Sequence, residues 1–227
     1  MITYEVSAGV ATITNDDPER RNPLTNEAMG EIRSAVDRAT VDPEVAVIVI
    51  TGAGSRAFSA GGDLSGGFVD DPLSSHTERS GLADLFRAMR VSAKPIVGRV
   101  NGVALGGGFG LAVACDITVA VRSALMGTPE IGLGLWPMMI STVLADAMPS
   151  KQLLEMMLTG RIVDADEALA LGLVTRVVDP DDLDSEVAAI VDKLRQSSPA
   201  ALALGKRSYY SMVDMDTDTA LDHLQIG

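Results

Sequence analysis

The stretch KPIVGRVNGVALGGGFGLAVACD, from Lys94 to Asp116, constrains the fold more than any other part of the chain. Ile96 to Val100 is an apolar, β-branched run that reads as a buried strand. Asn101-Gly102 breaks it, Val103-Ala104-Leu105 follow, and Gly106, Gly107 and Gly108 then precede an apolar helix over Leu111 to Cys115. Glycines between a strand and a helix let the backbone approach another group closely, with N–H groups exposed at a positive helix end. Such a turn suits a phosphate or a developing oxyanion. The dinucleotide spacing G-x-G-x-x-G is missing from Gly106 to Gly110. Glu130, twenty positions past Gly110, imitates a ribose-binding acid but follows a proline. Thr51-Gly52-Ala53-Gly54-Ser55 runs into Arg56-Ala57, with no Walker lysine. The phosphate reading is the weaker one.

A second turn has the same make-up. Val45 to Ile50 is almost entirely apolar, the mark of a parallel strand covered on both faces, and Ala60-Gly61-Gly62-Asp63 comes after it. If the two strands are neighbours, both turns lie at one end of a sheet and two backbone N–H groups can converge on one carbonyl oxygen. An oxyanion hole of this kind needs no side chains, and one such donor is worth about 2.7–4 kcal/mol of transition-state stabilisation. The competing reading of Gly106 to Gly108 is close helix–strand packing alone.

The remaining chain fits one α/β domain over residues 1–227 with strand–helix units repeated along it. Ile2 to Val6 and Val10 to Thr14 read as a hairpin, and Arg20-Arg21-Asn22-Pro23-Leu24 as an exposed basic turn. Thr25 caps a helix with Met29, Ile32, Val36 and Ala39 on one face. Ser65 to Ser80 reads as a mobile polar loop before an amphipathic helix carrying Leu82, Leu85, Phe86 and Met89. Ile117 to Val121 is a strand, Met126 to Ile140 is irregular, and helices follow at Ile140 to Ala147 and Ser150 to Leu158. Asp164 caps a short helix closed by Gly172, Leu173 to Val178 is a strand, and helices open at Pro180 and at Ser198-Pro199.

Composition narrows the function. With 47% hydrophobic residues the chain can bury one large core, and no apolar run is long enough to span a bilayer. The start, MITYEVSAGV, lacks a basic region before an apolar one, so a cytoplasmic protein without a membrane partner is expected. A net charge of −13 argues against nucleic acid and anionic membranes as partners. Cys115, the single cysteine, reads as packing. His76 and His223 lie far apart without a matching nucleophile or ligand cluster, so neither a triad nor a metal site is expected.

Among single residues, Glu130 between Pro129 and Ile131-Gly132-Leu133 reads as a sheltered acid whose pKa is raised into the useful range, against the alternatives of a helix-start acid or an exposed loop residue. Asp63 reads as a turn cap, and Asp116 as a structural turn acid. Trp136 and the methionines at 138, 139, 156 and 157 read as core or pocket wall. Arg20 and Arg21 are a solvated turn or an approach to anionic phosphates.

The segments RNPL, DPEVAVIVITGAGSRAFSAGGDL, KPIVGRVNGVALGGGFGLAVACD, TPEIGLGL and LTGRIVDADEALALGLVTRVV, in this order and over nearly the whole chain, resemble the enoyl-CoA hydratase/isomerase (crotonase) family. The resemblance implies the ClpP/crotonase fold, a spiral of β-β-α units that binds acyl-CoA thioesters as homotrimers or dimers of trimers. Coenzyme A then belongs to the substrate, and no separate cofactor is implied. The family's oxyanion donors fall on the N–H groups of Gly62 and Gly107. Ala60, Gly61, Gly62, Asp63 and Leu64 match its loop along the pantetheine and adenine, with Gly106, Gly107 and Trp136 completing the substrate site. One of the two hydratase glutamates matches Glu130, and the other falls on Gly110. A single acid can shuttle a proton between carbons, so the resemblance implies isomerase-type chemistry before efficient hydration. Trp136-Pro137-Met138-Met139 also replaces the glycine-rich turn common in hydratases. The alternatives are an acyl-CoA-binding subunit without turnover, and hydrolysis or decarboxylation of CoA esters. Family members also continue into further C-terminal helices, so those of this chain are expected to be incomplete.

Overall fold

The computed structural model describes residues 1–62 and 72–226, with backbone alone for 72–79 and 226. Strand β1 (Ile2–Ser7) turns through Ala8 (φ 48°) and Gly9 (φ 79°) into β2 (Val10–Asn15), a tight hairpin whose two positive φ values match the strand twist. Thr25 accepts a hydrogen bond from the Ala28 N–H (3.0 Å) and opens α1 (Asn26–Val41), whose buried face includes Met29, Ile32, Val36 and Ala39.

From there each unit gives one strand to each of two sheets. Strands β3 (Val47–Gly52) and β4 (Ala57–Ser59) precede α2 (Pro72–Val91). Strands β5 (Ile96–Val100) and β6 (Val103–Leu105) precede α3 (Gly107–Val113), and β7 (Ile117–Val121) and β8 (Leu125–Gly127) precede a 3₁₀ turn at Pro129–Leu133. Then come α4 (Ile140–Ala147), α5 (Ser150–Thr159), β9 (Ile162–Asp164), α6 (Ala165–Ala170), β10 (Arg176–Val178), α7 (Leu183–Arg195), α8 (Pro199–Met212) and α9 (Thr217–Ile226). The larger sheet has the order β1-β2-β3-β5-β7-β10 and the smaller β4-β6-β8-β9. This is the β-β-α spiral expected from the resemblance.

The larger sheet is the stable frame. Every residue of β3 is buried, and its neighbours β2 and β5 run parallel to it, with Ile48 opposite Ala11 and Ile96. Helix α7 covers β3, β5 and β7 with Leu183, Val187, Ile190 and Val191 buried. Asp116 is the expected turn acid: its carboxylate accepts from the Ile96 N–H (2.7 Å), the Lys206 ammonium (2.7 Å) and the Tyr210 hydroxyl (3.0 Å), which ties α8 to the body. Burial and the Asp116 charge push the Tyr210 hydroxyl upward in pKa.

Several expectations need correction. Residues 72–80 are helical and not loop: α2 starts at Pro72, a normal first-turn residue, but its polar first half carries no apolar stripe to reveal it. The helix after the glycines begins at Gly107 and ends at Val113, leaving Cys115 outside it. Cys115 is still buried; its Sγ packs toward Gly98, and burial pushes its thiol up, so packing is its role. The strand expected from Leu173 shrinks to Arg176–Val178. Among the described residues no helix is long and apolar enough to cross a membrane.

Candidate active site

Strands β4, β6 and β8 run parallel and side by side, so their C-terminal ends meet at one edge of the smaller sheet. These ends deliver Ala60 to Gly62, Gly106 with Gly107, and Pro129 with Glu130 to a cavity of about 330 Å³. Sequence reasoning hung both glycine turns on the long strands β3 and β5. Those strands are indeed neighbours, but the turns leave from β4 and β6, three-residue strands too short to show any periodicity.

The first turn is clamped from the N-terminal segment. The Ala60 N–H donates to Arg21 O (2.9 Å), the Leu24 N–H donates to Gly61 O (2.8 Å), and Leu24 bridges Gly62 in parallel. The exposed basic turn expected over residues 20–24 is exposed only at Arg20 and Arg21; Asn22, Pro23 and Leu24 are buried. Asn22 adopts φ 55°, donates to Ala53 O (3.0 Å) and Ala57 O (2.8 Å), and accepts from the Asp17 N–H (3.0 Å). Asn15 in turn donates to Asn22 O (2.9 Å) and Pro23 O (3.2 Å). The left-handed tolerance of asparagine was the signal that could have marked this residue. Arg20 is held by Asp17, whose carboxyl the guanidinium keeps below the usual range.

The two turns press together. Gly61 has φ 92°, and a Cβ there would fall 2.7 Å from Leu105 O and 3.4 Å from Gly107 N. A Cβ on Gly107 would lie 4.0 Å from Gly62 N, so the amides of residues 62 and 107 share one corner of the cavity. Among the described residues neither N–H donates to a protein acceptor, as the first amide of a helix normally cannot. The three consecutive glycines differ in their reasons. Gly108 has Ser59 O 2.4 Å from its would-be Cβ and serves close packing; Gly106 has φ 52°, and a Cβ there would fall 2.9 Å from Glu130 Oε1. Gly107 meets only ordinary contacts, so a side chain there would intrude on the cavity without clashing with the protein.

Glu130 sits in the 3₁₀ turn that Pro129 opens and Gly134 (φ 72°) closes, with Leu135 N–H donating to Glu130 O (3.0 Å). Thr128, fully buried, anchors the turn by donating its hydroxyl to Met156 O (3.2 Å). The Glu130 Oε2 atom is buried without a hydrogen-bond partner. Desolvation therefore pushes the carboxyl above the ordinary glutamate range, against a small opposing backbone hydrogen bond. Glu130 is the one ionisable side chain among the described residues of the lining.

The other wall is hydrocarbon: Met29 from α1, Leu82 from α2, and Trp136, Met138, Met139 and Ile140 from the segment entering α4. Trp136, Met138 and Met139 thus serve as cavity wall, while Met156 and Met157 are core. Asp63 and Leu64 lie outside the described residues, as do residues 65–71 of the expected polar loop. Gly110 is buried within α3 and does not line the cavity. His223 Nε2 does meet Ser211 Oγ (3.0 Å), but both are exposed and neither lines the cavity.

Known proteins give this geometry its kin. A family model described as enoyl-CoA hydratase/isomerase matches residues 5–225. A putative enoyl-CoA hydratase of Thermus thermophilus is 37% identical over 211 residues, covering 91% of this chain and 82% of that protein. A short-chain-enoyl-CoA hydratase of Clostridium acetobutylicum is 33% identical, covering 97% and 85%. Among solved structures, an enoyl-CoA hydratase of Mycobacterium smegmatis superposes with a TM-score of 0.94 at 30% identity, covering 99% of this chain and 88% of that one. Human enoyl coenzyme A hydratase domain-containing protein 3 gives 0.94 at 28% identity, covering 99% and 89%. With the matched model spanning all but the chain's ends and the fold shared throughout, the chain belongs to the enoyl-CoA hydratase/isomerase family.

Proposed function

We propose that the chain is an acyl-CoA enzyme that moves a double bond, converting a 3-enoyl-CoA to the 2-enoyl isomer with Glu130 as its one acid–base group. The observation that carries this reading is the lone, desolvated Glu130 carboxylate facing the same cavity as two undonated amides. The thioester oxygen sits between the N–H groups of Gly62 and Gly107. Ionised Glu130 takes a proton from C2; the electron pair spreads into a dienolate whose negative oxygen is held by the two amides. The protonated carboxyl then returns the proton at C4, and charge and atoms balance without another reactant. Burial suits the acid to this work, because a raised pKa makes the carboxylate a stronger base. The apolar wall receives the acyl chain, and Ala60 to Gly62 with Gly106 and Trp136 border the thioester end.

The test compares wild type with Glu130→Gln on 3-enoyl- and 2-enoyl-CoA substrates. Loss of isomerisation in the variant supports the reading; unchanged turnover removes Glu130 from the mechanism. Relatives that are enoyl-CoA hydratases by name favour a second reading, hydration of a 2-enoyl-CoA. A wild-type enzyme that yields the 3-hydroxyacyl product faster than it isomerises would establish that reading instead. Binding without any product, seen by thermal shift and mass spectrometry, would mark a non-catalytic subunit.

A further inference from the structure

We propose that Ile140, backed by Phe86, is the residue that confines this site to one-carboxylate chemistry, because it fills the volume that a side chain on residue 110 would need beside the substrate. The inference rests on the single-acid reading above and explains how the fold enforces it. Gly110 stands three residues after Gly107 on α3, so a side chain there shares the face of the amide donor and leans back toward it. That direction is closed. A Cβ on residue 110 would fall 2.5 Å from Ile140 Cγ2, 2.9 Å from Ile140 Cβ and 3.0 Å from Phe86 Cζ. Contacts this short demand that something shift, and neither blocker is free to do so. Ile140 is 2% exposed and Phe86 8%. Rotation about χ1 of Ile140 moves Cγ2 but leaves its Cβ in place, and β-branching already restricts that rotation.

Ile140 itself lines the cavity together with Gly107 and Glu130, whereas Gly110 does not. The branched hydrocarbon therefore stands between the helix backbone and the substrate, where a second carboxylate would otherwise hold a water for attack at C3. A water there would find no ionised acceptor opposite Glu130 among the described lining residues. The absent acid is thus not restored by exchanging residue 110 alone: the reaction type is set by the pair 110/140, with Ile140 as its larger member.

The experiment uses the full chain with Glu130 intact throughout. Wild type, Gly110→Glu, Ile140→Gly, the double variant, and a control combining Gly110→Gln with Ile140→Gly are each given a 2-enoyl-CoA and a 3-enoyl-CoA. The ratio of hydration to isomerisation and the Tm are read for each. Gly110→Glu alone is expected to lower Tm by about 2–12 °C through overpacking, and the same change made in the Ile140→Gly background to cost much less. The double variant should raise the hydration ratio about tenfold or more over the Gln control. Equal ratios in those two, or equal hydration by Gly110→Glu with Ile140 in place, overturn the proposal. If the Glu variants do not fold, Gly110→Ala decides: its Tm cost must shrink when Ile140→Gly is present, and an undiminished cost refutes the steric argument. A failed single-acid reading shows separately, in wild type against Glu130→Gln.

Discussion

The six-stranded and four-stranded sheets are fed by the same β-β-α units, yet they are held together differently. In the larger sheet β3 is six residues long and wholly buried, and its Val and Ile side chains are each worth about 1.5–3 kcal/mol on burial. In the smaller sheet β4, β6 and β8 are three residues each, and glycine turns leave from the ends of β4 and β6. Their order, β4-β6-β8, follows that of the long strands they succeed in the chain, β3-β5-β7. The comparison teaches a division of labour. Strand-borne apolar area accumulates in the larger sheet, and the edge of the smaller sheet at the cavity is made of backbone, which can present amides at a few ångströms without side chains in the way.

The largest effect expected from breaking that division is at Glu130. Glu130→Gln should lower kcat by about 10²–10⁴, the usual worth of a general acid–base group. Because the ionised form is the base, wild-type rate should rise with pH through the elevated pKa of Glu130 and level off above it, a limb absent from the variant's residual rate. Stability should respond in the opposite sense. The folded-state pKa lies above the unfolded one, so this group's favourable contribution is complete below the ordinary glutamate range, about pH 4.3, and is lost as pH rises through the folded value. The Tm difference between the variant and wild type should therefore move in the variant's favour with rising pH, as thermal scans would show.

The frame should respond in reverse. Ile48→Ala, in the middle of the larger sheet at 0% exposure, is expected to cost about 2–5 kcal/mol of unfolding free energy while leaving kcat of the folded fraction unchanged. Denaturant titration and initial rates below the transition check both halves. Gly107→Pro should do the opposite, removing one amide donor at a cost of about 2.7–4 kcal/mol in transition-state stabilisation. Proline is tolerated at the first position of a helix, and a Cβ on Gly107 meets nothing closer than 3.5 Å, so Tm should change little. A variant that unfolds together with its activity would erase the distinction between the two sheets.

Legibility in the sequence followed the same division. The long strands and the face of α1 announced themselves by runs and by three-and-four spacing, because apolar burial writes a periodic record. Gly61, Gly62, Gly106 and Gly107 were visible as composition, and Glu130 as an acid enclosed by Pro and apolar residues. The strands that carry them were not, since three residues hold no period. Neither was the first half of α2, where no apolar stripe repeats. The closure of residue 110 by Ile140 was invisible for another reason: the two positions are thirty residues apart in the chain and meet only through the packing of α3 on α4. The burial of Asn22 was hidden by the arginines beside it.

That asparagine is where the two sheets are stitched, and it offers the smallest and most discriminating test. Asn22 holds Ala53 O, which follows β3, and Ala57 O, which starts β4, while its own carbonyl is held by Asn15 at the end of β2. Asn22→Ala takes the donor from Ala53 O, leaves Ala57 O to Asn101 Nδ2 alone (3.2 Å), and places a Cβ-only residue at φ 55°, for an expected loss of about 1–3 kcal/mol. If the seam only stabilises, kcat at a temperature far below Tm stays at the wild-type value. If it also aims the first turn, through Leu24 N–H on Gly61 O, kcat falls while KM stays nearly constant, because the weakened contact is one made to the transition-state oxygen. Asn22→Asp separates these outcomes further: it keeps the acceptor for Asp17 N–H but places a charge against Ala53 O and Ala57 O, so it should be worse than Ala for stability. A kcat deficit common to both variants and independent of their Tm would show that the smaller sheet's geometry is set from the larger one, and a deficit that tracks Tm would show that it is not.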